Sequence, residues 1–380
     1  MARVTYKDAA LILASTITVL VVLEVGLRVI QYVRDGTHPL VFLPNYRERT
    51  FQRSPFLPFG PRVNWSFERE GDPAWTRFND MGIRMPDALP APEGGEFRVL
   101  ALGGSTTENV WNELGIHWPL AVECMARREG KRNIQVLNAA MSAYSTAHSL
   151  VRYQLDLVDT DPDLVLIMHN INDLTVSYHA AAEGKAVDPN YLVKYGAKSY
   201  AGQVDESDVV VSRLASFLRA SLLPTPSPDV PSESWVYDLG EGERLLRRNL
   251  GYIVQSVRAS GATPVLLTMP RSGDSRWVDL ARGGDLGTAG LTLLPSSSRF
   301  FEDFDRFNDV IREVAEVEGV PLVDMSKELV EAPDTFVDIV HYSTEGIRSF
   351  AATLYARLNP HLPGPGGELF PGAVTCDGVL

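Results

Sequence analysis

Short apolar runs alternate along most of the chain with longer stretches whose hydrophobic residues recur every three or four positions. The short runs are Arg98–Gly103, Ile134–Ala140, Leu164–His169, Thr263–Met269 and Pro321–Asp324. Helical spacing marks Trp118–Arg128, Thr146–Leu157, Glu243–Ser260, Arg299–Glu318 and Thr344–Leu358. Strands that are apolar throughout, rich in Val, Ile and Leu and separated by amphipathic helices, predict a parallel sheet covered on both faces. Binding sites in such open sheets lie beyond the carboxyl ends of the strands. No internal repeat is present.

Three regions depart from the alternation. The first is the N-terminus, where Ala9–Leu23 is uncharged and strongly apolar and continues to Val33. As a helix this stretch is about 37 Å long at ~1.5 Å per residue, enough to cross a bilayer. Glu24 and Arg28 share one helical face and can neutralise each other near the membrane edge. No small-residue cleavage site follows, which favours an uncleaved anchor over a removed signal peptide. Arg3 and Lys7 precede the run and Arg34, Arg47 and Arg49 follow it, so flanking charge does not set its orientation. The other two departures are insertions, at 174–240, which contains PTPSPDVPSES, and at 271–298, rich in Gly and Ser.

The resulting organisation is an anchor at 1–33, a membrane-proximal segment with linker at 34–96, a main domain at 97–360 and a tail at 361–380. Residues 34–95 are rich in Pro, Arg and aromatics, and the aromatics are expected to cover a core edge. Asn79-Asp80 with Gly82 predicts a tight turn.

With 380 residues, 45% hydrophobic and 22% charged, the chain has the composition of an ordinary globular protein. Its formal net charge of −13 and lack of a basic run argue against a nucleic-acid partner. The only two cysteines, Cys124 and Cys376, form neither a metal spacing nor a disulfide framework, although they can pair in an oxidising compartment.

Candidate chemistry sits at the ends of the predicted strands. FRVLALGGSTT, Phe97 to Thr107, reads as a buried strand running into a sharp turn with the Ser105 hydroxyl at its tip. It lacks the lysine and spacing of a nucleotide P-loop, and G-x-G-x-x-G is absent. A helix starting there leaves backbone N–H groups free beside the hydroxyl. The second run leads into NAAMSAYST, which offers the Ala143 N–H, and the third into HNINDL, where the Asn172 side chain is a neutral donor. Near the C-terminus, in DTFVDIVHYSTEG, Asp338 lies three residues before His341. A carboxylate there can reach Nδ1–H, fix the tautomer and leave Nε2 free as a base. A serine hydroxyl needs such a base, and a tetrahedral intermediate needs donors. Ser105, His341 and Asp338 meet the first need; the Ser105 and Ala143 N–H groups with Asn172 meet the second. Glu108 and Arg271, near strand ends, are read as solvated loop charges before substrate contacts. Asp173 is read as a turn or cap residue, Asp324 and Ser326 as caps, and His117, His148, His169 and His179 as structural or surface residues.

On these blocks, GGST at Ser105, NAAMSA at Ala143, NIND at Asn172 and DIVH at Asp338–His341, the chain resembles the SGNH (GDSL-like) hydrolase family, over roughly Phe97 to Leu358. The resemblance implies a flavodoxin-like three-layer sandwich, ester or acyl-transfer chemistry, and no metal or cofactor. The anchor, the NDMGIR stretch and GGSTTE also look like membrane-anchored members linked to bacterial cell-surface glycan modification. The implied protein is a membrane-anchored serine esterase acting on O-acyl groups of an extracytoplasmic carbohydrate, with acylated small molecules or polysaccharide as substrate. An O-acyltransferase using the same triad, or a catalytically silent binding or assembly protein on this fold, are the alternatives. Two positions depart from the family pattern: Gly104 stands where many members carry Asp, and Ala143 where a Gly is common. Alanine keeps the N–H, but is strained if the position needs a positive φ.

Overall fold

In a computed structural model of the chain, the structure describes residues 6–35, 51–52, 54–64, 77–85, 89, 95–109, 115–182, 186–188, 214, 239–283, 294–370, 373 and 376–380. Most of the first predicted insertion, its Pro-rich end included, lies outside the described residues, as do residues 284–293 of the second. Two compact units are present, one formed by 1–49 with 202–229 and the other by 50–201 with 230–380.

In the smaller unit, Tyr6–Asp35 is a single 30-residue helix, α1. Its span Tyr6–Ile30 is long and apolar enough to cross a membrane, with mean hydropathy 2.3 over its most apolar window. Leu11 to Ile30 carry many exposed large hydrophobics. Arg28 Nε donates to Glu24 Oε1 at 2.7 Å, the pairing that their four-residue spacing predicts.

The larger unit opens with a two-stranded antiparallel pair, β1 (Phe51–Gln52) and β2 (Gly60–Pro61). Then the alternation begins: β3 (Phe97–Gly103), the one-turn helix α2 (Ser105–Glu108), α3 (Trp118–Arg128), β4 (Ile134–Asn138), α4 (Thr146–Leu155), β5 (Leu164–Met168), α5 (Ile171–Ala182) and α6 (Leu239–Ala259). It continues with β6 (Thr263–Leu267), α7 (Ser275–Gly283), α8 (Ser297–Glu318), β7 (Leu322–Val323), α9 (Met325–Glu328) and α10 (Thr344–Leu358). Strands β3 to β7 form one five-stranded sheet in the order β4-β3-β5-β6-β7, every pairing parallel. This is the flavodoxin-like three-layer arrangement expected from the sequence. Helix α3 packs with α10, while α4, α5 and α8 gather around α6. All five residues of β5 are buried, which is why that run reads as continuously apolar.

Several boundaries differ from the expected ones. Strands β4, β5 and β6 end one or two residues early, because Ala139, His169 and Thr268 already belong to the loops that build the strand-end face. The predicted helix to Leu157 stops at Leu155 and tightens into a 3₁₀ turn at Leu157–Thr160. Helix α6 begins at Leu239, before the predicted Glu243. Both insertions start with regular structure: α5 carries the chain to Ala182, and α7 occupies Ser275–Gly283.

Residues ahead of the sheet pack onto it. Phe59 is fully buried, 5.5 Å from the Tyr144 ring and 5.4 Å from His148, so this aromatic does cover a core edge. Gly82 has φ +66°, and Asn79 Oδ1 accepts the Met81 and Ile83 N–H groups, forming the predicted turn. At the other end, Cys124 of α3 is bonded to Cys376, with Cα atoms 5.6 Å apart. Arg348 of α10 donates to the Val379 and Gly378 carbonyls, and Arg127 stacks 4.9 Å over Phe370. The tail is thus strapped to both helices of one layer.

A crosslink closing a loop this long strongly restricts the unfolded chain. Replacing both cysteines, Cys124→Ser with Cys376→Ser, is expected to lower the unfolding free energy of the full-length chain by about 2–5 kcal/mol. Denaturant titration measures this, and an unchanged midpoint would show that the tail is held without the bond.

Candidate active site

The carboxyl edge of the sheet gathers the loops named from the sequence. β3 ends at Gly103, and its place is close-fitting: a Cβ on Gly103 would lie 2.3 Å from Thr107 Oγ1 and 3.0 Å from the Met168 carbonyl oxygen. Glycine therefore lets the chain turn at once into α2, with Ser105 as the first helical residue. The N–H groups of Thr107 and Glu108 bond back to the Gly104 carbonyl. No partner for the Ser105 N–H is found among the described residues, as expected for the first turn of a helix.

His341 reaches this hydroxyl from the C-terminal side. Its Nε2 stands 2.8 Å from Ser105 Oγ, and its Nδ1 2.6 Å from Asp338 Oδ2. The second carboxylate oxygen, Oδ1, accepts the Val340 N–H at 2.9 Å and the His341 N–H at 2.8 Å. An ionised carboxylate only accepts, so Nδ1 carries the proton and Nε2 presents its lone pair to the Ser105 O–H. Ser105 and the Asp338–His341 pair, 236 residues further along the chain, thus form one hydrogen-bonded line.

Electrostatics favour that arrangement. Burial pushes the Asp338 carboxyl up, but the facing His341 charge, its hydrogen bond and the backbone N–H bonds outweigh it and hold the group below the usual Asp range. For His341, burial disfavours the charged ring. The Asp338 charge and hydrogen bond outweigh this, with a further contribution from Glu108, and raise the imidazole above its ordinary 6.5. The line is therefore built to stabilise an imidazolium.

Donors for negative charge lie alongside. Ala143, after β4, has φ +64°, the left-handed conformation in which an alanine costs roughly 1–2 kcal/mol. The strain anticipated for this residue is present. Its N–H has no partner among the described residues, whereas those of Ser142 and Tyr144 are both engaged. Asn172, at the start of α5, donates one Nδ2 hydrogen to the Tyr144 carbonyl at 2.9 Å, and the second has no partner among the described residues. A Cβ on Gly104 would fall 2.6 Å from that nitrogen, so glycine there lets the Asn172 amide lie against the turn. A side chain such as Asp at 104 would have to displace it.

The remaining candidates are structural. His117 accepts the Leu120 N–H at the start of α3, and His148 Nδ1 accepts the Ser145 N–H in a capping box. Burial, with His148 nearby, pushes the His169 imidazole down to about 3, so it stays neutral and bonds Ser149. Asp173 accepts from Thr146 N and Oγ1 and thereby caps α4. Asp324 is the N-cap residue of α9, as expected, but its side chain makes no cap hydrogen bond and instead binds Arg312 through both oxygens. Arg271 pairs with Asp305 and stacks 4.1 Å over Phe301. Glu108 is a correction: the carboxylate expected as a solvated loop charge is 1% exposed and accepts from Ser142. Its three-residue separation from Ser105 places it on the same turn, yet nothing in that spacing points to a partner 34 residues away. Among the described residues, no group of three or more His, Cys, Asp or Glu is arranged to hold a metal ion.

Residues 101–348 match the model of the GDSL-like Lipase/Acylhydrolase family, well over half of the chain. No curated protein matches. Among solved structures, the lipase/acylhydrolase from Enterococcus faecalis is similar at 15% identity, covering 72% of this chain and 100% of that one, with a TM-score of 0.42. The GDSL-like lipase from Bacteroides thetaiotaomicron VPI-5482 is 15% identical over 72% of this chain and 93% of its own, with a TM-score of 0.39. The acetyl xylan esterase AlAXEase is 14% identical over 69% and 100%, with a TM-score of 0.42.

The His341 pairing makes a measurable prediction. By NMR, the His341 ring is expected to titrate above 6.5, because the folded state stabilises its charged form. Asp338→Asn removes that stabilisation while burial remains, so the titration should move down. A midpoint unmoved by the substitution would contradict the pairing in solution.

Proposed function

We propose that this chain, which belongs to the GDSL-like Lipase/Acylhydrolase family, is a membrane-anchored serine esterase that removes O-acyl groups from an extracytoplasmic carbohydrate. The observation that carries the reading is the continuous line from Ser105 Oγ through His341 to Asp338, beside N–H groups with no partner among the described residues. In this reading Ser105 Oγ attacks the acyl carbonyl carbon while its proton passes to His341 Nε2. The imidazolium is held by Asp338. Negative charge on the former carbonyl oxygen is taken by the Ser105 and Ala143 N–H groups and the free hydrogen of Asn172. Collapse expels the alcohol, which leaves with the proton from Nε2. Water then attacks the acyl-serine with His341 as base, releasing the acid and restoring Ser105. A sugar hydroxyl in place of water would make the same residues an acyltransferase.

Support for the anchor is the length and apolarity of α1. Support for an extracytoplasmic catalytic domain is the Cys124–Cys376 bond, since such bonds persist mainly in oxidising compartments. The carbohydrate substrate rests on the likeness of NDMGIR and GGSTTE to anchored, glycan-modifying members. We assign 1–33 to the anchor, 34–96 to the membrane-proximal segment, 97–360 to the hydrolase domain and 361–380 to a tail.

The test is hydrolysis of 4-nitrophenyl acetate and of an O-acetylated oligosaccharide by the full-length chain in detergent. Ser105→Ala should reduce kcat/KM by at least about 10³-fold. Equal rates would reject Ser105 as nucleophile, and a folded protein inert to ester and fluorophosphonate alike would favour the silent binding protein. The wild-type kcat/KM should rise with pH and level off, with its midpoint above 6.5, because the protonated His341 cannot accept the Ser105 proton. A rate independent of pH through that range would remove His341 as the base.

A further inference from the structure

One buried acid behind the site takes no part in the steps above. Glu108 closes the four-residue helix that Ser105 opens. Its Oε2 accepts the Ser142 N–H at 2.8 Å and also the Ser142 hydroxyl. The next residue is Ala143, held at φ +64°. The main chain at this end of α2 is fixed as well: Arg84 Nη1 donates to the Glu108 carbonyl, and Asn138 Nδ2 donates to that of Thr107 at 2.9 Å. Asn138 Oδ1 accepts the Ala140 N–H at 3.2 Å. The helix bearing Ser105 and the loop bearing Ala143 are thus joined by two side chains. Of these, Glu108 bonds the residue immediately before the strained alanine.

We propose that Glu108 is a positioning residue for the oxyanion site: through Ser142 it holds Ala143 left-handed, so that the Ala143 N–H stays aimed beside that of Ser105. An alanine left to itself falls back to negative φ, because its Cβ crowds the following carbonyl in the left-handed form. That relaxation would rotate the Ser142–Ala143 peptide and re-aim its N–H. The two hydrogen bonds to Glu108 pin the Ser142 N–H and the Ser142 hydroxyl, and so hold the residue at one end of that peptide against the rotation. A glycine would enter the same conformation with no such penalty and would need less help. The inference rests on the reading of Ser105 as nucleophile.

The experiment is a double-mutant cycle on ester hydrolysis by the full-length chain in detergent, using Glu108→Ala, Ala143→Gly and their combination. Glu108→Ala should lower kcat by about 10–100-fold, within the cost of losing an oxyanion donor, while KM changes by less than about twofold. Glu108→Gln keeps an oxygen that accepts from Ser142 and should restore most of the rate. In the Ala143→Gly background, the loss caused by Glu108→Ala should shrink by roughly tenfold, since the conformation no longer has to be enforced. A merely structural acid would give the same loss in both backgrounds. That result, or an unchanged kcat for Glu108→Ala, would overturn the proposal. Should Glu108→Ala fail to fold, Ser142→Ala enters the same cycle with a smaller loss, relieved by Ala143→Gly if the proposal holds and equal in both backgrounds if it does not. Activity surviving Ser105→Ala would instead bring down the nucleophile reading. A dead Ser105 variant with no coupling between 108 and 143 would bring down the Glu108 proposal alone.

Discussion

Parallel strands all finish at the same edge of their sheet, and past the last rung of the ladder their backbone groups lose their partners. The candidate site is built from that shortage. β3, β4 and β5 are neighbours whose ends deliver Ser105, Ala143 and Asn172 to one face. The strand order reverses across β3, so the loops after β4 and β5 leave on opposite sides of the one that carries Ser105. Among the described residues, the Ser105 and Ala143 N–H groups on this face have no partner. Glycine at 103 and 104 permits the turn to be made within a single residue of the strand, against the Met168 and Tyr144 carbonyls.

His341 arrives by another route, on a loop that is largely self-supporting. Asp338, Val340 and His341 bond one another within four residues, and the Val337 N–H closes onto the His341 carbonyl at 2.9 Å. The orientation of the imidazole is therefore a local property. Its placement is not: Ser272 N–H donates to the Ile339 carbonyl at 2.8 Å, and α10 begins directly afterwards. At Gly346, in the first turn of α10, a Cβ would meet the Thr335 carbonyl oxygen at 2.0 Å, so glycine lets the helix start against the same loop.

The parallel sheet and its helices were legible because buried strands and amphipathic helices write different periods into the sequence. The helices at Trp118–Arg128 and Thr344–Leu358 run between the residues their pattern predicts. The hydrogen bond between Asp338 and His341 was legible because the three-residue spacing allows a carboxylate to reach Nδ1, and their meeting with Ser105 because all three stand beyond the ends of predicted strands. The partners of Glu108 were not, since a bond between residues 34 apart leaves no periodic trace, and an acid beside hydroxyl residues resembles surface. The pairing of Cys124 with Cys376, 252 residues away, was equally open, because closure over such a distance depends on where the tail runs.

The path of that tail links the far end of the chain to His341. Phe336 and Tyr342, which flank Asp338–His341 in sequence, meet at a tilt with ring centroids 5.4 Å apart. Tyr342 meets Phe350 of α10 at 5.2 Å, and Phe350 meets Trp118 of α3 at 5.3 Å. These rings connect the loop that carries His341 to the helix layer that the Cys124–Cys376 bond and the Arg348 contacts strap together. Such buried aromatic contacts are individually modest, but close packing leaves them little room to move separately. The serine is held by the strand edge and its glycines, while the histidine is held by the aromatic layer and the tail. Alignment of Nε2 with Oγ is therefore set where the sheet and the helix layer fit together, and side chains far from the hydroxyl bear on it.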